Sequence, residues 1–323
     1  MRVGLDISPL DQTRAGTARY VTSLEAQVDV DIVRLGRGGS GRSATVYRDA
    51  IWYPVVLPTL ARRHALDVLH CPTFRGPLRR PPCPLVVTVH DLAVLRHPDA
   101  FNSWTRWYSH RLVPHVVRAA ERVIAVSEFT KRELVELLGA PEEKITVVPN
   151  GVDDAFTEEG PAAEGDYVLV VGTLEPRKNL ARVEEAARRL GVELRVVGQR
   201  GWGGIDVPGW LGRVSDDDLA RLYRGARCLV YASYYEGFGL PIAEAMACGT
   251  PVVTSRGGAT EETAGGAAVL VDPYDVASIA AGIEEAVARR DELRRHGLER
   301  AGALGWEAAA RATIDVYRRA AGA

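Results

Sequence analysis

Two glutamates frame a short glycine-rich turn in the sequence YYEGFGLPIAEAMACGTPVV, residues 234–253. The two glycines of this turn allow a backbone with positive φ, and Pro241 suits the start of a helix because its missing N–H would be unpaired there anyway. The turn therefore predicts amide N–H groups at Phe238, Gly239 and Leu240 that lie on the positive end of a helix. Phosphate is the natural ligand of such a site.

The glutamates extend this site on both sides. Glu244 is expected in the first turn of the helix, where its carboxylate can accept two hydrogen bonds from a vicinal diol such as a ribose. Glu236 precedes the turn and would reach a group beyond the phosphates. Either glutamate alone could be a solvated acid that complements the helix dipole. Together with the glycines and the proline, they indicate a site for a sugar linked to a nucleoside diphosphate.

A pair of cations follows an apolar run in GTLEPRKNL, residues 172–180. Arg177 and Lys178 stand where the run YVLVV ends and the next helix opens, although a helix dipole disfavours cations at its N-terminus. An anionic ligand would explain both residues, since a guanidinium and an ammonium together suit a departing diphosphate. Lys178 is also one of only three lysines in the chain, so it is not part of a general basic surface.

The elements that must position these residues alternate between short apolar runs and amphipathic stretches. Runs that are apolar throughout and alternate with helices are typical of parallel sheets covered on both faces. Strands are expected at RVGLDI, DVDIVRL, VLHC, PLVVTVHD and RVIAVS, with helices near 15–26, 103–121 and 128–138. A second series of strands and helices begins at YVLVVGT. Between the two series, NGVDDAFTEEGPAAEGD lacks periodicity and predicts a linker.

This alternation predicts an α/β protein with two Rossmann-like domains, residues 1–155 and 156–305. Doubly wound sheets bind ligands at the carboxyl ends of their strands, so a cleft between the two domains is the expected site. The last helix, residues 306–321, is expected to pack back on the first domain.

Composition limits the partners. A formal net charge of −2 and a pI near 6.4 give no overall attraction to nucleic acid. The four cysteines are far apart and lie mostly among apolar neighbours, which favours structural roles in a reducing compartment. Asp6 interrupts the first apolar run, and no stretch of ~18 apolar residues occurs. A cytoplasmic location is therefore expected.

The stretch 234–253 resembles the signature of retaining glycosyltransferase family 4, in which two glutamates are separated by seven residues. The resemblance implies the GT-B fold, with two Rossmann-like doubly wound parallel-sheet domains facing a central cleft, and transfer of a hexose with no metal and no cofactor. Arg177 and Lys178 match the family pair that neutralises the donor diphosphate. Thr173 departs from the pattern, because many relatives carry an arginine directly after the glycine of this motif.

The resemblance also assigns residues outside these two motifs. His90, at the end of the strand PLVVTVHD, matches a histidine beside the transferred sugar, although a lone histidine here could be structural. Gly16 and Thr17 match a loop whose amides approach the donor phosphate, and an ordinary strand-to-helix turn would look the same. Arg213 and Val214 match a segment whose backbone reads the nucleobase. Helix capping suffices to explain the acids after Ser215 and Asp91.

The motif strings look most like those of bacterial mannosyltransferases that use GDP-mannose, with UDP-glucose as the next donor. The expected acceptor is a glycan or lipid-linked glycan in polysaccharide biosynthesis. Glu236 is expected to bind sugar hydroxyls rather than to act as a covalent nucleophile. Two other classes stay open, a GT-B phosphorylase and a non-catalytic nucleotide-sugar-binding protein. A dinucleotide-dependent oxidoreductase is disfavoured because no G-x-G-x-x-G opens a helix after a strand.

Residues 96–122 interleave arginines with tryptophan and tyrosine. This composition suits peripheral contact with an anionic lipid surface at the inner face of a membrane, or a platform for a sugar. Burial of the aromatic residues beneath a solvated basic face is the alternative. Pro114 predicts a kink or a restart of the helix.

Overall fold

A computed structural model describes residues 1–11, 16–39 and 41–322, without the side chain of Arg42. The chain divides into two compact units, the first formed by Met1–Gly151 and Trp306–Ala323, the second by Val152–Gly305. The first stretch of unit one ends a few residues before the predicted boundary at 155. Within the described residues, no helix is both long and apolar enough to cross a membrane.

The first unit holds a six-stranded parallel sheet in the part of the chain that the structure describes. Its strands are β1 Arg2–Asp6, β2 Asp31–Leu35, β3 Val68–Cys71, β4 Leu85–Val89, β5 Arg122–Ala125 and β6 Ile145–Val147. Its first seven helices are α1 Gly16–Gln27, α2 Arg42–Tyr47, α3 Leu57–Arg63, α4 Ala93–Arg96, α5 Ser103–Arg111, α6 Val113–Ala119 and α7 Glu128–Leu138. A π-helix, Arg48–Val56, joins α2 to α3. The helix predicted over 103–121 is split in two, and α6 begins at Val113 with Pro114 in its first turn, which confirms the predicted restart.

The second unit repeats the plan with its own six-stranded parallel sheet among the described residues. Its strands are β7 Tyr167–Val171, β8 Glu193–Val197, β9 Trp210–Gly212, β10 Leu229–Tyr231, β11 Val252–Ser255 and β12 Val269–Val271. Its helices are α8 Leu180–Leu190, α9 Asp216–Gly225, α10 Leu240–Ala247, α11 Gly258–Ala264, α12 Val276–Ala288 and α13 Arg290–Gly302. The final helix, α14 Trp306–Ala321, belongs to the first unit.

The strand orders show where each sheet reverses its winding. The first sheet runs β2-β1-β3-β4-β5-β6 and the second β12-β11-β10-β7-β8-β9. In the first sheet the winding reverses between β1 and β3, because β2 lies on one side of them and β4 to β6 lie on the other. In the second sheet it reverses between β7 and β10, with β8 and β9 on one side and β11 and β12 on the other. Loops that leave the carboxyl ends of two such strands diverge to opposite faces and leave a crevice, where doubly wound sheets bind ligands.

Both faces of the first sheet are covered by apolar layers. Val87 faces a cluster that includes Tyr53 of the π-helix, whereas Val86 faces a cluster on the opposite side. This second cluster contains Trp306 and Tyr317 of α14, together with side chains of α1. Successive side chains of a strand point to opposite faces, so an apolar strand such as LVVTV needs cover on both sides.

The division between the two units falls at the start of the segment 150–166, between Gly151 and Val152, and the rest of the segment is packed within the second unit. Phe156 is buried in the core of the second unit and meets the ring of Tyr223 edge-on, with centroids 5.9 Å apart. The Arg224 guanidinium donates to the carbonyls of Thr157, at 3.0 Å, and Pro161, at 2.9 Å. An aperiodic sequence signals irregular backbone, but it does not show whether that backbone is packed. Here it packs against α9.

Candidate functional site

The loop after β7 carries the cationic pair on a single 3₁₀ turn, Pro176–Lys178. Asn179 follows with φ 59°, a left-handed conformation that asparagine tolerates. Its side-chain amide donates to the carbonyls of Ala232, at 3.0 Å, and Pro273, at 2.6 Å. These bonds fix the loop, which itself follows β7, against the segments that leave the carboxyl ends of β10 and β12. Because β7 and β10 are neighbours in the sheet, Arg177 and Lys178 are held at the crevice between them.

The carboxylate of Glu236 lies between the two cations. Arg177 Nη1 donates to one carboxylate oxygen at 2.7 Å, and Lys178 Nζ donates to the other at 2.6 Å. Arg177 also pairs with Glu175 at 2.6 Å, and Lys178 donates to the hydroxyl of Tyr231 at 2.8 Å. The structure thus brings together three predicted residues from two loops that are nearly sixty positions apart. The sequence analysis missed Glu175 and Tyr231, since neither stands out by its spacing.

Burial and charge decide the ionisation of this cluster. Burial alone would raise the pKa of Glu236, but Arg177 and Lys178 together lower it to about 2. Burial also lowers the pKa of Lys178, as does Arg177, while Glu236 acts in the opposite direction. Glu236 is therefore an anion at neutral pH. A carboxylate that is so strongly stabilised as an anion is a weak nucleophile.

Gly172 makes room for Lys178. A Cβ at this position would lie 3.0 Å from Lys178 Cε and 3.3 Å from its Nζ. Its φ of 155° also disfavours a larger residue. The glycine of GTLEPRKN is therefore explained by the lysine six residues later in the same motif. Thr173, the departure from the family pattern, is half-buried beside it.

The turn after Glu236 opens α10. Gly239 has φ 109° at the N-cap, and Pro241 lies in the first turn, as predicted. Phe238 is buried and its carbonyl accepts a 2.8 Å hydrogen bond from Thr263 Oγ1, which holds the turn against α11. The first N–H groups of a helix have no acceptor within it. The turn thus aligns the amides near Leu240 along the positive end of α10.

Glu244 is not in the first turn of α10, so that prediction was wrong. It is the fifth residue of the helix, because α10 begins at Leu240. Its side chain is buried and accepts a 2.9 Å hydrogen bond from the hydroxyl of Tyr223 on α9. Thr250 Oγ1 in turn donates to the Tyr223 carbonyl at 2.6 Å. The sequence analysis missed Tyr223 because it lies within an ordinary apolar stripe of α9.

Arg213 and Val214 lie between β9 and α9. Arg213 is exposed, while Val214 is half-buried against the core that also contains Tyr223. Ser215 caps α9 by accepting a 3.1 Å hydrogen bond from the amide of Asp218, so the predicted cap is confirmed. Arg213 and Val214 thus directly precede α9, and Tyr223 of the same helix binds Glu244.

His90 follows β4 in the first unit. Its Nε2 donates to the carbonyl of Pro72 at 3.0 Å, and its ring meets Tyr20 edge-on with centroids 4.7 Å apart. Burial lowers the pKa of His90, although Pro72 and Asp91 act in the opposite direction. Asp91 accepts a 3.1 Å hydrogen bond from the amide of Ala93, so it caps the turn that leads into α4, whose N-cap is Leu92.

A buried polar network lies behind His90. Thr88 Oγ1 is 2.8 Å from His70 Nε2 and 3.0 Å from the hydroxyl of Tyr20. The other nitrogen of His70, Nδ1, is 2.7 Å from the hydroxyl of Tyr317 on α14. Burial lowers the pKa of His70 to about 3, so the network is neutral.

The helix α1 begins at Gly16 and Thr17, as the sequence predicts. Tyr20 lies one turn further along this helix and touches His90. The structure therefore places the start of α1 on the same side of the first unit as His90. Residues 12–15 of the predicted loop lie outside the described part of the chain.

Each unit has a doubly wound parallel sheet, and in the second unit a charged cluster lies at the switch point, where such sheets bind ligands. The sequence matches the families described as Glycosyltransferase Family 4, over residues 15–156, and Glycosyl transferases group 1, over residues 152–302. The chain belongs to glycosyltransferase family 4, and its fold is GT-B.

Relatives and solved structures agree with this assignment. O-antigen chain mannosyltransferase B of Escherichia coli is 32% identical over 284 residues, 78% of this chain and 74% of the relative. D-inositol 3-phosphate glycosyltransferase 2 of Catenulispora acidiphila is 34% identical over 278 residues, 73% of this chain and 65% of the relative. Anabaena HepE in complex with UDP and glucose has a similar fold, with a TM-score of 0.73 at 16% identity and 98% coverage of each chain.

Proposed function

We propose that this chain transfers a hexose from a nucleotide-diphosphate sugar to a glycan or lipid-linked acceptor, with retention of anomeric configuration. The observation that carries the proposal is the Glu236 carboxylate held between Arg177 and Lys178 where the winding of the second sheet reverses. Such a cluster combines two cations for phosphates with an anionic acceptor for hydroxyls, within one crevice.

The cations would act on the leaving group. When the bond between the sugar C1 and the phosphate oxygen breaks, negative charge develops on the departing diphosphate. Arg177 and Lys178 would stabilise this charge, together with the amides at 238–240. Because the two side chains are positioned before the donor binds, they need little reorganisation during the reaction. This electrostatic role requires no resident metal or cofactor.

The remaining residues would orient the donor and the acceptor. Glu236 would bind sugar hydroxyls, and Glu244 would accept the ribose diol, with Tyr223 fixing its carboxylate. The roles of His90 beside the sugar and of the Arg213–Val214 backbone on the base rest on the family resemblance. The acceptor hydroxyl would attack C1 from the face that the diphosphate leaves, and the leaving phosphate oxygen would take its proton. Glu236, with its lowered pKa, is a ligand in this scheme and not a nucleophile.

GDP-mannose is the donor that we propose. The motif strings favour it, and one relative described above is named a mannosyltransferase. UDP-glucose is the competing donor, because a solved structure of similar fold contains UDP and glucose.

A thermal-shift panel followed by a turnover assay tests the proposal. GDP and GDP-mannose should raise the melting temperature more than UDP and UDP-glucose do. A ligand present at one hundred times its Kd stabilises the folded protein by about 2.7 kcal/mol. The full chain should then release GDP, but no mannose 1-phosphate, when an acceptor extract is added, and EDTA should leave the rate unchanged.

The possible readouts separate the alternatives. Release of a sugar phosphate would identify a phosphorylase, and binding of a nucleotide sugar with no turnover would identify a binding protein. Stabilisation by uridine nucleotides alone would contradict GDP-mannose as the donor, but it would still agree with the proposed glycosyl transfer. No stabilisation by any nucleoside diphosphate would overturn the proposal.

A further inference from the structure

An unbroken helical run in the first unit exposes apolar side chains. It consists of α2, the π-helix and α3, and it buries Trp52, Tyr53 and Leu57 against the core. Its outer side presents Tyr47, Ile51 and Val55. These three are spaced by four residues, close to one turn of either helix type, so they form one stripe.

The stripe is a patch rather than a set of isolated side chains. Tyr47 is 36% exposed, Ile51 43% and Val55 57%, and Val46 beside them is 39% exposed. Across the described residues, four of the eleven large apolar side chains that are exposed fall within these ten positions. A single exposed apolar side chain is normal in a soluble domain, whereas a contiguous group marks an interaction surface.

The exposed charges that the structure describes within residues 36–66 are all cations. Between residues 36 and 66 the only acid is Asp49, which is buried and paired with Arg75. Arg62 and Arg63 are exposed at one end of the helical run. At the other end, the guanidinium of Arg37 lies 5.2 Å from the centre of the Tyr47 ring. An apolar stripe with cations at both ends, and with no exposed acid in the helical run itself, complements an anionic surface that has an apolar interior.

A tryptophan of the segment 96–122 borders the same helical run. Trp104 donates through Nε1 to Asp49 at 2.9 Å, and Trp107 stacks on Trp104 with centroids 5.2 Å apart. Trp107 is 50% exposed, whereas Tyr108 is buried. Of the aromatics on α5, Trp107 is therefore the one available to an interface, where an amphipathic ring is well suited.

We propose that this face, formed by Tyr47, Ile51, Val55 and Trp107 with the flanking Arg37, Arg62 and Arg63, docks on the surface of an anionic phospholipid bilayer. The apolar stripe enters the headgroup region, and the arginines contact the lipid phosphates. A second protein would usually offer acids at fixed positions, whereas a bilayer matches a continuous stripe with cations at both ends. The proposal does not rest on glycosyl transfer, because lipid binding is measured without turnover.

Flotation with vesicles tests this surface. The full chain should float with vesicles of phosphatidylcholine and phosphatidylglycerol, and binding should weaken with added salt. The double variant Ile51→Glu/Val55→Glu should lower the partition coefficient about tenfold or more, since each change replaces an apolar contact with a charge that the headgroups repel. Arg62→Gln/Arg63→Gln should lower it by roughly tenfold as well.

The double variant Val135→Glu/Val287→Glu is the matched control. These valines are 38% and 37% exposed on α7 and α12, outside the helical run, so equal added charge should leave flotation close to wild type. Equal melting temperatures would show that each variant is folded. Equal binding to vesicles of phosphatidylcholine alone, no binding to anionic vesicles, or equal losses in the control would each overturn the proposal. So would a dimer in light scattering that Ile51→Glu/Val55→Glu abolishes, since the partner would then be a second copy of the chain.

Discussion

The carboxyl edges of the two sheets have the same architecture and opposite chemistry. In the second unit, Arg177, Lys178 and Glu236 form a charged cluster at the crevice. In the first unit, the groups behind His90 are neutral, with His70 and Thr88 joined by hydrogen bonds in a fully buried network. Charges that face a crevice can respond to a charged ligand. A neutral buried network can only hold its neighbours in place. We therefore propose that the charged cluster binds the donor and that the neutral network positions the residues around it, His90 among them.

Removal of Lys178 should have the largest effect and tests the charged side of this comparison. Lys178→Ala should lower turnover by about 10²–10³, because one preorganised cation is lost from the leaving group. Arg188→Ala, on the exposed face of α8, is the control and should turn over normally. The measurement is kcat with saturating donor. A kcat within a factor of three of wild type would contradict the proposed role of Lys178 in stabilising the leaving group.

Removal of His70 tests the neutral side. His70→Ala should cost about 2–5 kcal/mol in the free energy of unfolding, because it leaves a cavity and takes a partner from the buried hydroxyls of Thr88 and Tyr317. Nucleotide affinity, measured by titration well below the melting temperature, should not change. His70→Gln, which keeps some hydrogen bonding, should cost less. A variant that is as stable as wild type, or that loses nucleotide affinity, would break the proposed division.

Acid should affect the two edges in sequence. The folded pKa of His70 lies at about 3, below its ordinary 6.5, so its stability contribution is present above pH 6.5 and is lost as the pH falls towards 3. The pKa of Glu236 falls from 4.5 to about 2, so its contribution is lost only below pH 4.5.

Denaturant titrations between pH 7 and pH 4 can separate these contributions. His70→Gln should flatten the loss of unfolding free energy between pH 6.5 and pH 4.5. Glu236→Gln should retain the wild-type slope in that range and differ only at lower pH. Identical slopes for wild type and His70→Gln above pH 4.5 would contradict the assignment of His70 as a buried neutral group.

Arg213 should show the smallest effect. Its side chain is exposed, and the proposed contact with the base is made by backbone. Arg213→Ala should therefore change the KM for the donor by less than about threefold, as is usual for an exposed charge. A larger change would indicate that the side chain of Arg213 also contacts the donor, in addition to the cluster around Glu236.

The sequence predicted the layers and the members of the charged cluster, because each of these depends on a local pattern. Apolar runs and turn residues lie next to each other in the chain, and both cationic residues belong to one motif. The helical run over 42–63 was not predicted, because Pro54 and Pro58 interrupt an apolar stretch with no clear period. The partners of His70 lie 18 and 247 positions away, and no local pattern could have joined them.

The position of α14 has a consequence for how the protein is made. A ribosome releases residues 1–151 first, but the sheet they form is packed on one face by Trp306 and Tyr317, which follow the whole second unit in the chain. The second unit is continuous in sequence, and domains generally fold as units during synthesis. It can therefore fold while the sheet of the first unit still lacks α14 on one face. His70 therefore acquires its partner Tyr317 only after the second unit, with every residue of the charged cluster, has been released.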